Sequence, residues 1–294
     1  MKRLLLVLPA LALLFTACKK DESNQPVSRI SNSPIVAAVP TSFTQKVLLE
    51  NFTGTSYNKS PMNDFEISTL QSSLGNRLIP VSIHTGDAMA TTQSNEIFNR
   101  INNGSLPNIP SAMINRRKSN NSIFYLNQDW NAMISLALNN NSTTCGLAIS
   151  SSYNGNIIEV VVSTGFANVP NTNYNVTVYL TEDEVSSPDQ SYAQANIYNS
   201  VGGNPFFNMG NPIASYEHNH TLRFVASQSG GDAIDMQNVM IKQEDTKTYI
   251  IDLPNNFNPA KMNVVAFIHS PGLTSNGLVL NAQTAKLGSI QNYD

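Results

Sequence analysis

Cysteine is nearly absent from this chain. Two thiols in 294 residues, Cys18 and Cys145, exclude a disulfide-stapled scaffold. Charge is scarce too: Asp, Glu, Lys and Arg make up 13% of the residues, with a formal net charge of −3. There is no basic stripe interleaved with aromatics, so nucleic acid is not an expected partner. No apolar run reaches the roughly 20 residues of a membrane-spanning helix. There is no tandem repeat within the second half of the chain and no Asp-x-Asp-x-Asp-Gly calcium loop. Asn and Ser supply the polar surface instead, which suits an all-β or mixed secreted protein.

The N-terminus carries the clearest signal. Lys2 and Arg3 precede an apolar stretch over residues 4–15, which ends in Thr16-Ala17-Cys18. This resembles the bacterial lipobox, with Phe15 where that pattern prefers Leu. The resemblance implies a signal peptide over residues 1–17, with a covalent lipid on Cys18 as membrane anchor. Residues 18–44 have no apolar period and read as a disordered tether, reaching on the order of 30 Å as a flexible coil. Its start, Lys19-Lys20-Asp21-Glu22, resembles the surface-export signal of Bacteroidetes lipoproteins. That implies the outer face of the outer membrane of a Gram-negative bacterium. Cys145 opens an apolar run and reads as a small buried hydrophobe.

Residues 45–142 alternate strand and helix. The pattern predicts strands over 46–52, 78–83, 111–115 and 122–126, and helices over 61–74, 94–102 and 128–139. This order is similar to the thioredoxin fold, in whose four-strand core the second strand lies at an edge. Pro80 within that strand fits an edge. Pro110 directly precedes the third strand, as the cis-proline of thioredoxin-like proteins does. Disulfide-exchange enzymes keep Cys-x-x-Cys-Pro where the first strand meets its helix, because a helix N-terminus lowers a thiol's pKa. Here the two thiol positions are Tyr57 and Ser60, ahead of Pro61, and Ser60 is the expected N-cap. No catalytic residue is assigned. Tyr57, Asn58, Lys59, Ser60, Pro61 and Pro110 form a degenerate redox site, expected as a face for an added peptide strand.

From residue 143 to 294 the texture is strand after strand, without helical stretches. Seven strands are expected, over 147–153, 157–164, 174–181, 220–226, 248–253, 262–268 and 278–282. The fold class is therefore α/β plus all-β: a thioredoxin-like domain followed by an antiparallel β-sandwich. The uncovered stretch 186–211 is a long Gly-, Asn- and Pro-rich loop of the kind that often carries function. His84 and Asp87 read as a strand-end cap. His218-x-His220 has metal-like spacing, since residues two apart on a strand face one side, with Asp183 or His269 as further ligands if the fold brings them. The acidic run 182–184 and the Arg116-Arg117 hairpin read as solvated turns.

Three segments of the first half then carry a wider resemblance: Val47 to Thr55, Ile79 to Asp87, and Pro110 to Arg116. With Tyr179-Leu180-Thr181-Glu182-Asp183, the stretch His218 to Arg223, and Val279-Leu280-Asn281-Ala282, they look like the Omp28-related outer-membrane lipoproteins of Bacteroidetes. Many relatives carry Trp-Cys-Gly-x-Cys-Pro where this chain has Ser56-Tyr57-Asn58-Lys59-Ser60-Pro61. The resemblance implies a lipid-anchored surface protein without redox activity, engaged in binding or adhesion to a protein, peptide or glycan. No cofactor beyond the lipid is expected. The alternatives are a thiol-disulfide oxidoreductase or isomerase, and a metal-dependent hydrolase using His218 and His220.

Overall fold

The computed structural model describes residues 37–101, 107–119, 121–139, 142–272 and 277–294. The expected signal peptide, Cys18 and most of the tether lie outside the described residues.

In chain order the elements are β1 (Phe43–Thr44), β2 (Val47–Thr53), α1 (Ser60–Leu74), β3 (Leu78–His84), α2 (Thr92–Ile101), β4 (Ser111–Ile114) and α3 (Asn127–Ala137). The second half follows with β5 (Ser142–Thr143), β6 (Cys145–Asn154), β7 (Ile157–Phe166), β8 (Asn175–Glu182), β9 (Thr221–Val225) and β10 (Asp232–Ala233). It ends with α4 (Met236–Lys242), β11 (Glu244–Asp252), β12 (Met262–His269), β13 (Val279–Lys286) and β14 (Ile290–Gln291). All seven long strands expected after residue 143 form. The expected strand over 122–126 survives only as isolated bridges, Ala112 to Tyr125 and Ser119 to Ser122. α4 was not expected; Asp235 caps it by accepting from the Gln237 amide.

One sheet joins the two halves. Its order is β13-β12-β8-β9-β3-β2-β4, with β2 and β3 parallel and β4 antiparallel to β2. β3 is therefore not an edge strand as expected: β9, from the second half, pairs with it in parallel at Ser82 and Thr221. Pro80 is tolerated because β9 begins only at Thr221, leaving the outer side of residues 78–80 without a strand partner. The sheet curls until its ends meet, the amide of Val279 on β13 donating to the carbonyl of Asn115 just after β4 at 3.0 Å.

Period-two alternation sorts the core into layers. On β2, Val47 and Leu49 face α1 and α3, packing with Ile67, Trp130 and Ile134. Leu48 and Phe52 face the other way, onto Ile97 and Phe98 of α2 and onto Tyr179 and Phe267. On β8, Val176, Val178 and Leu180 point away from Tyr179 into a third core. There they meet β6 and β7 through Leu147, Ile149, Val160 and Val162. Those strands lie in a four-stranded antiparallel sheet, β11-β7-β6-β14. The result is a β-rich protein of mixed helices and sheets.

The Arg116 reading needs correction. Arg116 is not a solvated tip but 1% exposed. Its Nε and Nη2 donate to the Glu50 carboxylate at 2.8 and 2.7 Å, and its guanidinium lies 5.0 Å from the Phe267 ring centroid. Sheet curling brings a residue after β4 against one from β12, which hairpin composition does not reveal.

The folded region also starts earlier than the expected tether end at residue 44. Phe43 packs against Gly146 and Tyr293, and Val39 against Gly165. Two glycines leave the notches that these side chains fill, so local composition alone missed the packing. Lys46, 1% exposed, binds Gln283 and Asp294 at 2.6 Å each and ties the C-terminus to the start of β2.

Candidate functional site

The candidate site forms where β2 gives way to α1. Gly54 makes the turn possible: a Cβ there would sit 2.6 Å from the carbonyl oxygen of Thr85. α1 opens at Ser60 with Pro61 in its first turn. Ser60 is not the N-cap; that position is Lys59, without a side-chain cap bond. Instead the Ser60 hydroxyl is buried and accepts from the Thr53 hydroxyl at 2.9 Å. The Ile109–Pro110 bond is cis, as expected, and a second cis bond, Asn211–Pro212, was not foreseen. The fold brings Pro110 and the start of α1 together around a cavity of about 200 Å³, which Lys59, Asn63, Ile109, Gln128 and Tyr198 also line.

The long loop before β9 roofs this corner. The amide of Ala195 donates to Thr55 O at 2.8 Å and that of Ile197 to Asn58 O at 3.0 Å. The Gln194 side-chain amide adds bonds to the carbonyls of Thr55 and Tyr57. Buried Asn196 holds the loop's shape by donating to the carbonyls of Phe206 and Gly210. The backbone acceptors expected to greet an external peptide are thus filled by the chain itself. The open part of the face is the cavity beside Lys59 and Pro110.

A row of ionisable and aromatic side chains runs behind the turn. His84 Nδ1 lies 2.7 Å from Asp87, which also accepts from the amides of Thr55, Met89 and Ala90. This matches the expected cap at the end of β3. Burial pushes the Asp87 carboxyl up, but the His84 bond and the amides outweigh it and hold it below its ordinary value. The His84 and His218 rings meet edge to face at 5.3 Å, and Tyr216 meets His218 at 4.9 Å. The Tyr216 hydroxyl donates to Asp64 at 2.8 Å. Burial pushes Asp64 up to about 6, against the pull of Tyr216 and the nearby imidazoles. Burial, then the neighbouring His84, pushes His218 down to about 4. Asp64 and Tyr216 escaped the sequence reading; Tyr216-x-His218 was the available signal, two rings on one side of an extended segment.

The expected meeting of His218 and His220 at one metal does not occur. His218 turns toward Tyr192, with Nε2 2.9 Å from its carbonyl. His220 has a left-handed φ of 57°, which breaks strand periodicity, and its ring reaches Asp183 and Gln71 instead. His269, the other possible ligand, bonds Thr177 and the carbonyl of Ser270. Among the described residues no group of three or more His, Cys, Asp or Glu is placed to hold a metal. The acidic run does not converge on a cation either: Glu182 pairs with Arg223, Asp183 with His220 and Glu184 with Lys261.

Cys145 is 1% exposed at the start of β6, and burial pushes its thiol up to about 12. A thiol so placed is a poor nucleophile.

Fold and site together define a β-rich protein of mixed helices and sheets whose strand-turn-helix corner at the start of α1 holds no cysteine and is covered by its own loop. The chain belongs to the outer membrane protein Omp28 family, whose model matches residues 100–291. Among solved structures, HBP35 of Porphyromonas gingivalis is similar, with a TM-score of 0.64 and 17% identity, over 85% of this chain and 77% of that one. A protein of Agrobacterium tumefaciens is similar at a TM-score of 0.52 and 15% identity, over 84% of this chain and 96% of that one. At these identities the likeness speaks for the fold alone. No curated protein matches the sequence. Among the described residues no helix is long and apolar enough to cross a membrane.

Proposed function

We propose that this outer membrane family member is a binding or adhesion protein, anchored by lipid on Cys18 and displayed at the cell surface. Residues 45–142 form a thioredoxin-like part without redox activity, and residues 143–294 a β-sandwich that shares its sheet. The ligand is a protein, a peptide or a glycan, and no cofactor takes part. The observation that carries this reading is the state of the α1 corner. Tyr57 and a buried Ser60 stand at the thiol positions, and the 190–213 loop occupies the backbone beside them. Disulfide exchange needs an attacking thiolate and a resolving thiol, and Cys145 is buried elsewhere.

Insulin reduction by the purified chain in the presence of dithiothreitol tests the redox half of the reading. Turnover equal to the protein-free control is expected; turnover that disappears in Cys145→Ala overturns it. Anchoring is tested by Cys18→Ala, which should move the protein out of the membrane fraction. Surface display is tested by protease digestion of intact cells, which should remove the protein. A pull-down from host or envelope extract tests the binding half, and capture of no partner counts against it.

A further inference from the structure

A second cleft lies at the far end of β3 from the degenerate corner. β9 begins only at Thr221, so residues 78–80 of β3 have no strand on the side away from β2, and the joined sheet opens there between β3 and β8. The gap is a cavity of about 530 Å³, bounded on one side by the last turns of α1. That size suits a small ligand of one or two rings.

The chemistry of its walls narrows the ligand class. The apolar floor is Leu78, Ile79, Pro80 and Val265. Around it stand Gln71, Thr181, Asp183, His220, Asn263 and Thr284, with no Lys or Arg among the lining residues. An anion would meet the Asp183 carboxylate without a compensating cation. A bare metal ion would find both Asp183 oxygens engaged: one accepts from the His220 amide at 2.8 Å, the other from the Asn263 amide at 2.8 Å. A purely apolar ligand would strip water from the amides and hydroxyls and return no hydrogen bonds. The ligand that suits these walls is neutral, rich in hydroxyls, and apolar on one face.

The wall is also held in place. The His220 ring spans Asp183 and Gln71, with Nδ1 3.2 Å from the first and Nε2 3.0 Å from the second. That leaves the Gln71 amide nitrogen and the Asn263 carbonyl oxygen as a donor and an acceptor not engaged by other described residues. Adjacent hydroxyls of one ring offer the matching acceptor and donor. We propose that this cleft binds a neutral saccharide of one or two rings. The proposal rests on the binding reading above and names the ligand class for it.

Saturation-transfer NMR tests it on the full chain, kept in a detergent without a sugar headgroup. The probes are glucose, galactose, N-acetylglucosamine and their β-linked disaccharides. Transfer to at least one sugar is expected. Ser68→Trp, on the exposed face of α1 and at the cleft mouth, should abolish it with an unchanged melting temperature. Asn263→Ala should weaken it about tenfold, the loss of one hydrogen bond. Thr284→Trp fills the cleft from the opposite wall and should act like Ser68→Trp. Absence of transfer to every probe overturns the proposal, as does transfer that survives both tryptophan variants. If the cleft fails while a protein or peptide is captured in the pull-down, the binding reading stands without it.

Discussion

Arg116→Met should destabilise the protein more than most single substitutions, and the reason lies in one buried ion pair. Glu50 is 0% exposed on β2, and both its oxygens accept from Arg116, at 2.8 and 2.7 Å. Tyr179 closes the group, its hydroxyl 3.3 Å from Arg116 Nη2. The three residues come from β2, the turn after β4, and β8, so the pair sits where the two halves share a core. Truncating Arg116 leaves an unpaired carboxylate in that core, a loss of about 3–5 kcal/mol. Glu50→Leu should cost a similar amount by stranding the guanidinium. The double variant Glu50→Leu with Arg116→Met strands neither charge and should recover most of the loss, because an apolar pair of similar volume is often neutral. Equilibrium urea unfolding of the four proteins at pH 7 measures the coupling. The reasoning fails if Arg116→Met costs under about 1 kcal/mol, or if the double variant loses the sum of the singles.

Further outcomes follow from other contacts. His218 and His269 are each held near 4, so their share of stability should be lost as pH falls from about 6.5 toward 4, where the unfolded imidazoles charge first. Asp64, held near 6, acts in the opposite sense: its contribution is full below the unfolded value of 3.8 and lost as pH rises through 6. Asp64→Asn should therefore steepen the acid loss in a urea series from pH 7 to pH 4, and an unchanged slope would count against a raised Asp64 carboxyl. Gly146→Ala drives a Cβ into the Phe43 ring and should cost about 1–3 kcal/mol, a penalty that shrinks in a Phe43→Ala background. Equal penalties in both backgrounds would mean that residues 37–44 are not packed there. In a Cys18→Ser chain, Cys145 should react with a thiol reagent only after unfolding; rapid native labelling would refute its burial.

The sequence alone determined what is local. Apolar periodicity located seven strands after residue 143 and, apart from the strand expected over 122–126, the strand-helix order before it, because each element needs one face to bury. Pro61 marked the start of α1 and Pro110 the cis bond before β4, since proline restricts its own backbone. That residues 57 and 60 are Tyr and Ser rather than Cys was equally plain. Only the tertiary structure decided what depends on pairing across distance. Nothing near Pro80 announces that β9, some 140 residues later, will lie beside β3. Arg116 looks like a hairpin tip until the curled sheet sets Glu50 and Phe267 against it. The spacing of His218 and His220 promised one face, and a single left-handed residue sent the two rings to different partners. The loop that roofs the α1 corner, and the cleft left where β9 starts late, are likewise outcomes of long-range packing that no local pattern records.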